Sequence, residues 1–192
     1  IGEVPACFVK AASEGLMEEP VPIEINRRLL DKAYDLIVSI GQVVPHEVVG
    51  MSSHSKNIFV GCGGSSAINA THMLGAVYGL ERLMGKDHSP VRRVLDYAAD
   101  CFLRDIPLIH MLTVTTSERG KILTHGLFIG HERRFFEDAV KLSQQVNIRY
   151  LSSPVKKFIV YLDEKEYKST WLGNKAIYRT RKAIADQGEL II

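Results

Sequence analysis

The sequence has little of several things, and each scarcity removes a class of protein. Only three cysteines occur, Cys7, Cys62 and Cys101, an odd number with no CxxC pair. Neither a disulfide framework nor a structural zinc site is expected, and a reducing compartment, the cytoplasm, is the expected location. No stretch approaches the ~18–20 unbroken apolar residues of a membrane span, and the N-terminus shows no basic region leading into an apolar core. Charge is nearly balanced at a formal +2, with Lys and Arg scattered rather than clustered, so nucleic acid is not an expected partner. There is no internal repeat and no low-complexity stretch.

What is present is enough for a packed core: 192 residues, 46% hydrophobic and 24% charged. The chain opens on Ile1-Gly2 without a methionine and stops on the apolar Leu190-Ile191-Ile192, from which continuation at one or both ends is expected.

The alternation in Val21-Pro22-Ile23-Glu24-Ile25 predicts a short strand, with Asn26 capping a brief helix over residues 27–33. Residues 35–41, an apolar run ending in glycine, predict a strand buried on both faces, as in a parallel sheet. Helical spacing runs through residues 65–84, 90–102, 132–146 and 173–185. Strand patterns cover 108–115, 122–129 and 157–161, with a last strand at the C-terminus. The expected fold class is therefore α/β, a mostly parallel sheet flanked by helices. The turn cluster Ser152-Ser153-Pro154 divides it into residues 1–152 and residues 153–192, the latter either part of a second α/β domain or a continuation of the first.

Seven histidines are present, but only His46, His54 and His72 share one stretch with a lysine, Lys56. His46 falls just past the C-terminal end of the strand at 35–41, the edge where open α/β sheets bind ligands. Histidine ligates metals and moves protons near neutral pH, and a desolvated lysine can act as a covalent anchor. The turn Gly61-Cys62-Gly63-Gly64-Ser65-Ser66 opens a helix and has two readings: glycines needed for a tight turn, or backbone amides cradling a phosphate. The second would make the chain a non-catalytic nucleotide- or phosphate-binding domain. His54 reads as a solvated loop residue, and His88, His110, His125 and His131 as structural.

The run from Val44-Pro45-His46 through Gly50-Met51-Ser52 to Lys56, followed by Asn69-Ala70-Thr71-His72, resembles the nickel-dependent lactate racemase family. The order is similar: a Pro-His pair, a Gly-x-Ser turn, a lysine, a Gly-rich turn and a helical histidine. The spacings agree too, ten positions from His46 to Lys56 and sixteen from Lys56 to His72. The resemblance is strong over residues 20–75 and faint beyond about 155. Ser53-His54-Ser55 stands where the family usually has Gly-Gly-Arg, Val60-Gly61 where it has Pro-Gly, and Thr71 where it has Asn.

The resemblance implies a racemase or epimerase of a 2-hydroxy acid that uses a nickel pincer nucleotide, the pyridinium-3-thioamide-5-thiocarboxylate mononucleotide with nickel. It implies Lys56 as the covalent anchor of that cofactor, His72 as the protein ligand to nickel, and His46 as one of two acid/base histidines. Trp171 and Lys175 correspond to the substrate-binding segment, with Lys175 on the substrate carboxylate and Trp171 in the pocket wall. The second catalytic histidine and the substrate arginine of the family lie upstream of the matched part. The partners implied are the hydroxy-acid substrate and the proteins that make the cofactor.

Overall fold

A computed structural model describes residues 1–192 apart from the side chain of Trp171, which lies outside the described residues. Two compact units form, Ile1–Ile148 and Arg149–Ile192.

The first unit opens with β1 (Gly2–Val4), α1 (Ala6–Ala12) and β2 (Val21–Ile23), β1 and β2 pairing antiparallel. Asn26 then caps a 3-10 turn, Arg27–Leu30, by accepting a hydrogen bond from the Arg28 amide at 3.0 Å. Next come β3 (Ile37–Gln42), β4 (Pro45–His46), β5 (Gly50–Met51) and a π-helical turn, Asn57–Gly61. They lead into α2 (Ser65–Tyr78). The single helix expected over 65–84 stops at Tyr78 because Gly79 takes φ 98°, and a separate turn, α3 (Leu80–Leu83), follows.

The helix α4 (Pro90–Phe102) begins as its sequence dictates. Ser89 caps it by accepting from the Arg92 amide at 3.0 Å, and Pro90 occupies the first turn, where its missing N–H costs nothing. The hairpin of β6 (Leu108–Glu118) and β7 (Lys121–Gly130) turns at Arg119-Gly120, both at positive φ, which matches the strand twist of a two-residue turn. Helix α5 (Arg133–Asn147) closes the unit.

β3 pairs parallel with β6, and β6 antiparallel with β7. The α/β class stands, but the sheet is not mostly parallel: of the five strand pairings, only β3 with β6 and β8 with β9 are parallel. β3 is likewise not buried on both faces, since Val38 is 44% and Ile40 69% exposed. Hydrophobic content alone does not fix whether elements of the fold cover both faces of a strand.

Two cores carry the unit. Val9, Val21, Ile23, Val48, Val49, Ile58, Phe59, Leu74, Val94 and Leu95 belong to one. Val43, Met51, Leu112, Val114, Phe136, Ala139 and Val140 form the other, under α5. Ser143 of α5 donates to the Val43 carbonyl at 2.7 Å, tying that helix to the chain just beyond β3. The second unit holds β8 (Val155–Ile159), the short helices α6 (Thr170–Gly173) and α7 (Lys175–Thr180), and β9 (Ile184–Ile191), which pairs parallel with β8. No helix among the described residues is long and apolar enough to cross a membrane.

Candidate active site

His46 ends β4, whose partner β5 returns the chain through the tight turn at residues 47–49. Its Nδ1 accepts the amides of Val48 at 3.1 Å and Val49 at 3.3 Å. An acceptor of two N–H groups carries no proton, so the neutral ring holds its proton on Nε2. His46 is therefore set as a hydrogen-bond donor rather than as a free base.

The same turn packs on α2. A Cβ added at Gly75 would lie 2.9 Å from Val48 Cγ1 and 3.2 Å from the Val48 carbonyl, so only glycine allows this approach. His72 lies three residues earlier on the same helix and is half-buried. Its Nδ1 is 2.7 Å from the Ile68 carbonyl, which can only accept, so Nδ1 carries the proton. The lone pair is thereby left on Nε2. A carbonyl holding one ring nitrogen while the other ligates is the usual support of a metal-bound histidine.

Lys56 sits at the head of the π-helical turn, whose residues Ile58 and Phe59 anchor in the same core as Val48, Val49 and Leu74. The segments bearing His46, Lys56 and His72 thus share one core. Single π-turns are often found at functional sites because the extra residue re-aims the side chains around it.

The segment leading to Lys56 is held from both sides. Ser53 and His54 adopt φ 70° and 58°, left-handed values that cost an L residue roughly 1–2 kcal/mol each. Arg92 of α4, fully buried, donates to the carbonyls of Met51 at 2.7 Å and Ser53 at 3.1 Å and to Ser55 Oγ at 2.8 Å. Ser55 passes its own proton to Asp96 Oδ1 at 2.9 Å, and Arg133 grips the other oxygen of Asp96 at 2.9 Å. From the opposite side, Ser52 and Ser53 donate to the Gln42 carbonyl at 2.6 and 2.7 Å. Burial pulls the Arg92 guanidinium down to about 10, with Asp96 opposing, so it remains charged at neutral pH.

The amides at the start of α2 are already engaged. Glu24 Oε2 accepts from the Ser66 amide at 3.0 Å and the Ala67 amide at 3.4 Å. The phosphate-cradle reading of residues 61–66 is thereby corrected: a carboxylate of this chain occupies the positive end of the helix, and a phosphate would have to displace it.

Residues 11–82 match the family model of the lactate racemase N-terminal domain. His46, Lys56 and His72 all fall inside that span, and the resemblance read from residues 20–75 is borne out. The chain is also similar to a Thermotoga maritima protein of known crystal structure, with 28% identity and a TM-score of 0.87 over 98% of this chain. It spans 46% of the length of that protein. No curated protein matches the sequence.

The structure corrects the reading of His54. It is not solvated but 6% exposed, its ring 4.3 Å from that of His110 and stacked on Phe136 at 5.1 Å. Neither of its ring nitrogens has a hydrogen-bond partner among the described residues, and Asp96 Oδ1, at 4.0 Å, is too far to serve. Burial, then His110, Arg92 and Arg133, hold His54 well below the usual histidine range. Burial and Arg92 lower His110 to about 4, against Asp96. Both rings are neutral at pH 7. The pair lines a cleft of about 740 Å³ with Asp96, Arg104 and Arg133.

Nothing in the sequence spacing gave away Arg92 or Asp96, because a helical arginine and aspartate four apart read as an exposed ion pair. Lys175 opens α7 in the second unit, described by itself, and the Trp171 side chain lies outside the described residues.

A metal at His72 would need donors beyond the chain. Among the described residues, the one trio with ligand atoms within 4.8 Å of one another is Asp87, His88 and Glu137, and it does not include His72. There, Arg133 already pairs with Asp87 at 2.6 Å. A single neutral imidazole fits a cofactor that brings its own sulfur donors to nickel.

Proposed function

We propose that the protein racemises or epimerises a 2-hydroxy acid with a nickel pincer nucleotide held by Lys56 and His72. The observation that carries this reading is the lone pair left on His72 Nε2, in a chain whose matched segment also contains Lys56 and His46 at family spacing. The bound cofactor would supply a hydride acceptor. Lys56 would anchor it through its amine, and His72 Nε2 would offer its lone pair to nickel. His46 would present its Nε2 proton to the substrate oxygen, and the complementary base would be the family's second histidine. The resemblance assigns substrate binding to the segment from Trp171 to Lys175. Activity belongs to the whole protein in the cytoplasm, loaded by cofactor-synthesis proteins.

Turnover in D2O tests the reaction class. With lactate and a panel of larger 2-hydroxy acids, the loaded protein is expected to interconvert the enantiomers without deuterium entering C2, because that hydrogen leaves and returns as hydride. One deuterium gained at C2 per inversion would show proton abstraction instead and end this reading.

A further inference from the structure

Resting on the reading of Lys56 as cofactor anchor, we infer that Arg92, Ser55 and Asp96 are positioning residues that set the direction of Lys56. The segment before the lysine contains two consecutive left-handed residues, Ser53 and His54, a conformation that an unrestrained chain leaves. Arg92 holds it by three bonds, two to the carbonyls of Met51 and Ser53 and one to Ser55, the residue next to the lysine. Asp96 closes the circuit: it accepts from Ser55 and from Arg133, which in turn is fixed by Asp87 at 2.6 Å. Phe136 lies under both guanidinium groups, at 4.5 Å from Arg92 Cζ and 4.9 Å from Arg133 Cζ, and keeps water from the bonds. The restraint ends at the residue whose amine must meet a large cofactor at one angle.

The variants are Ser55→Ala, which deletes one hydroxyl, and Asp96→Asn, which keeps the shape of the side chain and removes its charge. Cofactor-free protein is trace-labelled with acetic anhydride, and acetylation of Lys56 is read by peptide mass spectrometry relative to the remote Lys141 on α5, with thermal melting recorded in parallel. The expected result is a rise of at least threefold in the Lys56 to Lys141 ratio in both variants, with cooperative melting retained, as the released lysine becomes an ordinary surface amine. A purely structural role would lower the melting temperature and leave the ratio of the folded protein alone; an unchanged or lower ratio in either variant overturns the inference. Because no cofactor is present, the result stands even if the racemase reading fails. In loaded wild type and variants, the fraction of chains carrying the adduct is expected to fall at least threefold in the variants.

Discussion

Lowering the pH from 7 to 5 is expected to cost the unit Ile1–Ile148 at least about 2 kcal/mol of stability. The cause is the stacked pair His54 and His110, both neutral in the fold and both near 6.5 when unfolded. A histidine whose folded pKa is depressed contributes nothing unfavourable above pH 6.5, where both states are neutral. As the pH falls through 6.5 the unfolded chain takes up the protons and the folded one does not, so stability declines by up to ~1.4 kcal/mol per pH unit for each ring. For His110 the decline runs to about pH 4, where the folded ring charges, and His54, lowered by its burial, acts in the same direction. The His110 ring over the ~1.5 units below 6.5 gives about 2 kcal/mol, a large part of a typical domain's total, and His54 adds to it in the same direction. Urea denaturation at pH 7 and pH 5 measures this directly. His110→Gln should remove about 2 kcal/mol of the difference, and equal stability of the wild type at the two pH values would show that the pair is solvated or already charged.

Replacing His46 should separate two roles that a histidine can play. As a neutral donor, with Nδ1 committed to the Val48 and Val49 amides, it should be replaceable in part by a residue that offers an N–H at a similar reach. His46→Ala is expected to lower turnover by about 10²–10⁴-fold, the range for loss of a positioned proton donor or acceptor. His46→Gln is expected to recover at least tenfold over the alanine variant. Both should load cofactor as the wild type does. If glutamine is no better than alanine, the ring must exchange its proton in turnover, and the turn at 47–49 must rearrange to free Nδ1.

Much of the frame was legible because its signals are local. Ser89-Pro90 and the apolar spacing after them mark α4 to the residue, and Asn26 marks the 3-10 turn. His46, Lys56 and His72 were singled out by a family resemblance in order and spacing, which survives without knowledge of packing. The environment of His54 was not legible, since it is made by His110 on β6 and Phe136 on α5, which no local pattern links to it. The same holds for Arg92: its partners at residues 51–55 meet it only after the chain has folded back, so its total burial has no sequence signal. Glu24 reads as one polar residue in an alternating strand until α2 is placed against it. The sheet's direction failed for a related reason: β6 satisfies one edge with β3 in parallel and the other with its own hairpin partner.

The measurement that bears most directly on the central claim is intact mass with nickel content on protein coexpressed with the cofactor-synthesis proteins. Wild type should carry a covalent mass addition of mononucleotide size and bound nickel. Lys56→Ala should lose the covalent addition, while His72→Ala should keep it with nickel reduced. A folded, fully supplied wild type with neither adduct nor nickel would contradict the account.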